Sequence, residues 1–366
     1  MRTHHFVDKE KAAFGQPDPS EVCERVVASI PEEILRNANR ILDVAIGCCG
    51  IARAVVKRMV DELDIPYYDA ILKVYGVDTD LALVRKARRL GFVNTVHADF
   101  LEWDSQMQFD VIVGNPPYQK SKYSDFYVCF IKRSAELLRE GGYFSMIAPA
   151  KGAQPMSRAQ VPLQEVGWNR VEFGIESYFP NIGTVIANYI GTKGNAAEKL
   201  EVVVEGKTIK VERGTVFPLF AQDATAYSVV RKFFSGAQKM PFTRKDIPSG
   251  DYIYVSRLIG TWHPNKDKGG PYTMKAFVNE SPEQNDGGFL RADTIKQAEH
   301  YRWVITRSLA MRFIVNQCVR ATFIPPMFWE LSPDILSCVD DNEIFDMLGF
   351  TDAEITYVKN WESSTY

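Results

Sequence analysis

The chain is short of cysteine, of long apolar runs and of net charge. Its 366 residues carry six cysteines, Cys23, Cys48, Cys49, Cys129, Cys318 and Cys338. Two are adjacent and none has zinc-ligand spacing, which excludes a disulfide framework or zinc finger and predicts reduced thiols in a cytosolic protein. No apolar run approaches the roughly 20 residues of a membrane span, and residues 1–30 carry charges throughout instead of a signal-peptide core. No membrane partner is expected. Internal repeats and low-complexity tracts are missing too, which excludes solenoids and disordered linkers. What remains is a globular chain, 46% hydrophobic and 24% charged, long enough for two domains that each bury a core.

The net charge of −3 conceals an uneven distribution. Residues 1–195 hold 23 Lys/Arg against 24 Asp/Glu, residues 196–320 hold 19 against 13, and residues 321–366 hold one against nine. The balances are −1, +6 and −8. A basic middle segment masked by an acidic tail is compatible with a phosphate-binding surface, and equally with ordinary solvated charge.

The first half alternates strand and helix patterns. Strands are expected over Arg40 to Ala45, Ile71 to Val77, Asn94 to Ala98, Phe109 to Val113 and Tyr143 to Ala148. Helices are expected over Ala52 to Leu63, Leu81 to Leu90 and Phe126 to Arg139. That order predicts an α/β fold with a mostly parallel sheet, whose ligands bind beyond the carboxyl ends of the strands. The alternation stops near residue 190, and the glycine-rich, charged stretch GTKGNAAEKL (191–200) predicts a domain boundary. The domains are therefore 1–195 and 196–366. A hairpin over Leu200 to Val204 and Thr208 to Val211 is expected in the second, and two short helices between Ile344 and Trp361, the latter capped by Thr351.

Three of the expected strands end on acids. Asp43 closes the first and is followed by Val44-Ala45-Ile46-Gly47-Cys48-Cys49-Gly50, whose small residues make either a tight turn or a backbone approach for a ligand. Asp78 closes the second, where an acid accepts ribose hydroxyls or caps the next helix, a role open to Asp80 as well. Asp99 closes the third, with Phe100 beside it as a ring for stacking. The turn lacks the Gly-x-Gly-x-x-Gly spacing that brings amides against a pyrophosphate. A cofactor held by ribose and base, S-adenosylmethionine, fits better.

The fourth strand runs into Asn115-Pro116-Pro117-Tyr118. Each proline sets its own φ and biases the residue before it toward extended backbone. Asn115 and Pro116 are thereby held with two carbonyl acceptors able to converge on one amino group, drawing its lone pair out of conjugation. Tyr118 offers a face to a flat base.

With these residues in order, the chain resembles the S-adenosylmethionine-dependent adenine-N6 DNA methyltransferases of the amino-methylating, Asn-Pro-Pro-Tyr type, in the gamma-like motif order. The resemblance covers residues 10–190. It implies a Rossmann-like methyltransferase sheet followed by a mixed α+β target-recognition domain. It further implies cofactor contacts at Phe14 and Gly15 (in Phe14-Gly15-Gln16-Pro17), Asp43, Ala45, Gly47, Asp78, Asp99, Phe100 and Asn115. Asn115, Pro116, Pro117 and Tyr118 would form the catalytic corner, and Phe179, in Tyr178-Phe179-Pro180, the ring across the flipped base. The second domain would grip double-stranded DNA, with Arg231, Lys232, Arg244, Lys245, Arg257, Lys266 and Lys268 as phosphate contacts. No metal is implied. A monomer is expected, with any restriction endonuclease acting separately. The same corner also serves methylation of a protein glutamine amide or an RNA base amine, and a non-catalytic DNA-binding relic would share it too.

Overall fold

Strand β1 (Ile41–Asp43) has three residues, all buried, and lies between two longer parallel neighbours, β2 (Val74–Asp78) and β4 (Phe109–Gly114). The apolar runs that make these strands face packed helices on both sides, as a buried parallel sheet requires. Beyond β2 lies β3 (Asn94–His97). Beyond β4 come β5 (Leu138–Pro149), β7 (Ile186–Thr192), β6 (Trp168–Glu172), β8 (Lys199–Val204) and β9 (Lys207–Glu212). The full order is 3-2-1-4-5-7-6-8-9, with β7 antiparallel to both β5 and β6. This is the expected Rossmann-like α/β sheet. The chain leaves β1 toward β2 and β3, then returns to β4 on the other side, so its switch point lies at β1 and β4.

The computed structural model describes residues 19–118, 125–154, 157–179, 185–195, 197–204, 206–213, 224–234, 240–243, 247–255, 275–280, 288–318 and 331–365. Two compact units divide it, Met1–Arg213 and Gly214–Tyr366. That division falls later than the boundary expected at 195/196. The β8–β9 hairpin forms as expected, but β8 pairs in parallel with β6 and so extends the first sheet. A second difference concerns Ile71. The apolar run from Ile71 to Val77 splits at Lys73, because helix Tyr67–Leu72 follows Pro66 and buries Ala70 and Ile71. Helix Ser20–Ala28 and the turn after it are tied to helix Gly50–Asp61 and to β5. Arg58 donates to the carbonyls of Val27 and Ile30, both at 2.6 Å, and the Tyr143 hydroxyl donates to the Ser29 carbonyl. Among the described residues no helix is long and apolar enough to cross a membrane. Among the described residues, Cys23, Cys48, Cys49, Cys129 and Cys338 form no disulfide.

The second unit is mixed α+β. A three-stranded antiparallel sheet, β11 (Ala276–Val278), β10 (Asp251–Val255) and β12 (Gly288–Ala292), shares a core with helices Ala224–Phe233, Ile295–Arg307, Leu309–Cys318, Asp341–Met347 and Asp352–Thr365. Thr351 caps the last helix in a reciprocal box with Glu354: the Glu354 N–H donates to Thr351 Oγ1 at 3.3 Å, and the Thr351 N–H to Glu354 Oε2 at 2.7 Å. Ser228 donates to Glu354 Oε1 at 2.5 Å and Lys232 to Oε2 at 2.6 Å, which locks the acidic tail to helix Ala224–Phe233. Burial alone would raise the Glu354 carboxyl. The bonds from Lys232, Ser228 and Thr351 outweigh it and hold the group at about 2.

A depressed carboxyl contributes stability that is complete above its ordinary value and drains as pH falls toward the folded one. The Glu354 contribution, roughly 3 kcal/mol at neutral pH, should therefore fade between about 4.5 and about 2. Amide exchange in helices Ala224–Phe233 and Asp352–Thr365 reads it directly. Glu354→Gln should speed exchange there at pH 7 and flatten its acid dependence, whereas equal protection in both proteins would contradict the assignment.

Candidate active site

Strands β1, β2, β3 and β4 run in one direction, so their carboxyl ends share one edge of the sheet. Asp43, Asp78 and Asn115 stand at that edge, with Asp99 just past β3. Asp43 is 2% exposed, and its Oδ1 accepts the Ala45 N–H at 3.4 Å. The turn that follows is stitched to both neighbours: the Val44 N–H donates to the Val113 carbonyl and the Ile46 N–H to the Val77 carbonyl, each at 3.1 Å. Gly47 (φ +49°) and Cys49 (φ +66°) then take left-handed backbone, and helix Gly50–Asp61 begins. Glycine adopts that geometry freely. Cys49 does so at a cost of about 1–2 kcal/mol, offset in part by its N–H bond to the Ile46 carbonyl at 2.7 Å. Burial pushes the Cys49 thiol up to about 12, with Asp43 and Cys48 adding to the effect. It stays protonated at neutral pH and offers no nucleophile.

Asp78 joins two elements. Its Oδ2 accepts the Gly47 N–H at 2.9 Å and its Oδ1 the Asp80 N–H at 2.8 Å. The helix cap falls to Asp80, which accepts the Ala82 N–H at 2.7 Å, so Asp78 is left to brace the turn after β1. Asp99 closes a tight turn by accepting the Leu101 N–H at 3.0 Å. Phe100 departs from expectation. Its ring is 2% exposed and stacks on Phe130 with centroids 5.4 Å apart. An apolar ring after the turn folds into the core, so it does not stand at the edge as a stacking face.

At the end of β4, Pro116 is buried while Asn115, Pro117 and Tyr118 are partly exposed. The Tyr118 carbonyl accepts the Phe126 N–H at 3.2 Å, which returns the corner to helix Phe126–Leu137. The Tyr118 hydroxyl donates to Asn115 Oδ1 at 2.7 Å. Tyr118 and Phe179 both lean on one apolar cluster that includes Val113, Ile175 and Ile186, so the structure brings these distant rings to a common support. One pair escaped the sequence reading: Lys151, just past β5, donates to Asp125 at 2.6 Å at the start of the helix after the corner. Only the position of a lysine past a parallel strand hints at it.

The remaining candidates divide. Phe14, Gly15, Arg244, Lys245, Arg257, Lys266 and Lys268 lie outside the described residues. Arg231 is exposed on helix Ala224–Phe233. Lys232 is a correction, since its ammonium is held by Glu354 and the Gly349 carbonyl, each at 2.6 Å, and is not presented as a phosphate contact. Among the described residues no cluster of His, Cys, Asp and Glu is placed to hold a metal.

Residues 85–159, which include Asp99 and the Asn115–Tyr118 corner, match the family model described as Eco57I restriction-modification methylase. Part of the chain is 36% identical to a Type II methyltransferase of Thermus thermophilus, covering 15% of this chain and 19% of that protein. The chain thus spans about a fifth of that relative's length. Among solved structures, the chain is similar to the type I restriction enzyme EcoKI M protein (TM-score 0.42, 14% identity, 52% of this chain and 48% of that one). It is also similar to the type I restriction-modification methyltransferase subunit from Streptococcus thermophilus (TM-score 0.37, 14% identity, 54% and 50%).

The site's geometry depends on close strand contact at Gly114. A Cβ built there would lie 2.6 Å from Val44 Cγ2 and 3.5 Å from the Val44 nitrogen. Gly114→Ala should therefore lower stability by about 1–3 kcal/mol in denaturant unfolding. An unchanged midpoint would mean that β1 and β4 do not approach so closely.

Proposed function

We propose that the first unit is the catalytic part of a restriction-modification DNA methyltransferase, acting on the N6 amine of an adenine flipped out of duplex DNA. The observation that carries this reading is the Asn115-Pro116-Pro117-Tyr118 corner, set at the carboxyl end of β4 beside the row of strand-end carboxylates. The match of residues 85–159 to a restriction-modification methylase family supports it.

The residues present suit S-adenosylmethionine. Each Asp78 oxygen accepts one backbone N–H, and a carboxylate can accept about four bonds, which leaves capacity for ribose hydroxyls. Gly47 keeps the turn after β1 free of a side chain, and Asp43 and Ala45 line that turn. Asp99 would hold the base of the cofactor. When bound, S-adenosylmethionine supplies an electrophilic methyl group. Asn115 Oδ1 and the Pro116 carbonyl accept the two N6 hydrogens, pull the amine lone pair out of ring conjugation, and take the positive charge that develops on nitrogen. Neutral acceptors suffice, because the proton can leave as or after the methyl arrives. Tyr118 and Phe179 flank the base. The second unit grips the duplex, with Arg231 its exposed described candidate, and a restriction endonuclease would act separately.

Incubation of the purified chain with labelled S-adenosylmethionine and unmethylated duplex DNA should yield N6-methyladenine among the digested nucleosides. Label appearing in protein or RNA but in no DNA would overturn the reading. Asn115→Ala should lower turnover by about 100-fold or more while the affinity for S-adenosylmethionine stays within a few-fold. Substantial residual turnover would remove Asn115 from the chemistry.

A further inference from the structure

We infer that Tyr118 has a task beyond presenting its ring: its hydroxyl positions the Asn115 amide, so that the two groups facing the base form one rigid receptor. The inference rests on Asn115 being the acceptor of the target amine. Tyr118 is three residues beyond Asn115, across two prolines whose φ angles are set by their rings. The hydroxyl therefore reaches Asn115 Oδ1, at 2.7 Å, from a place the backbone has already chosen.

An asparagine amide turns on a broad terminal torsion, and each orientation but one misdirects the carbonyl. The O–H bond from Tyr118 restrains that torsion at the carbonyl oxygen before any base arrives. A carbonyl oxygen carries two lone pairs, so the Tyr118 bond by itself occupies only one of them. The tether acts in the other direction as well. Its hydroxyl end held by Asn115, and its body packed on the apolar cluster that includes Val113 and Ile186, the Tyr118 ring keeps a fixed face. A base stacked on that face arrives with its amine in register with Oδ1, and no side chain has to be ordered at the moment of reaction. Tyr118 is a positioning residue through its hydroxyl, while its ring touches the base.

Tyr118→Phe in the full chain keeps the ring and deletes the link. Two readouts follow. In nitrogen-15 spectra of asparagine-labelled protein, with the Asn115 side-chain signal assigned by its loss in Asn115→Ala, Tyr118→Phe should shift and broaden that signal. An unchanged signal would overturn the inference whether or not the chain is active. In DNA methyl transfer, Tyr118→Phe should lower kcat by about tenfold with KM for DNA and affinity for S-adenosylmethionine unchanged. Unchanged or faster turnover would overturn it too, since a hydroxyl that merely blocks Asn115 would raise kcat when removed. A wild-type chain that methylates no DNA would instead sink the functional reading, and the spectroscopic result would still decide the role of the hydroxyl.

Discussion

Strand β1 has three residues and two parallel partners, and the geometry of the site follows from that. Parallel pairing forces Asp43, Asp78 and Gly114 to finish at one edge, and a strand so short leaves no slack in where its end lies. The neighbours have to come close. Gly114 has no room for a Cβ against Val44, and Gly76 has none against Ile46, where an added Cβ would lie 2.4 Å from Cδ1. Backbone bonds from Val44 and Ile46 to the carbonyls of β4 and β2 then fix the turn, and Asp78 ties it down through the Gly47 N–H. The carboxylate row is thus a consequence of strand direction, held in place by peptide hydrogen bonds.

At the next strand end the same rigidity is reached by other means. Two prolines restrict the backbone, and a side-chain bond between Tyr118 and Asn115 restricts what the prolines cannot. In the proposed reaction nothing needs an unusual pKa at the corner. Fixed, neutral acceptors do the work, and burial shifts both the Cys49 thiol and the Tyr127 hydroxyl toward the inert, protonated form. The second unit has its own electrostatic anchor in Glu354, remote in sequence from the corner and tied to Lys232.

Much of the first unit is legible in the sequence because buried parallel strands read as apolar runs that end abruptly. The places of Asp43, Asp78 and Asn115 at the strand ends were legible from those endings alone. Features set by three-dimensional competition were not. The run from Ile71 to Val77 looks continuous, yet Pro66 starts a helix that claims Ile71. Phe100 looks available, yet Phe130 takes its ring. The hairpin after residue 195 looks like the start of a new domain, yet the edge of β6 was open to pair with it. Lys232 reads as a loose charge, and only the fold reveals Glu354 beside it. In the last three cases a partner distant in the chain decides, and local pattern carries no trace of that partner.

The central claim is that the corner at Asn115 directs methyl transfer to an adenine amine in DNA. Base-resolved methylation sequencing of genomic DNA from cells expressing this chain, beside cells expressing Asn115→Ala, tests it most directly. N6-methyladenine should recur within one short sequence for the wild-type chain, with none above background for the variant. The same modification pattern in both, or methyl groups confined to cytosine, would contradict it.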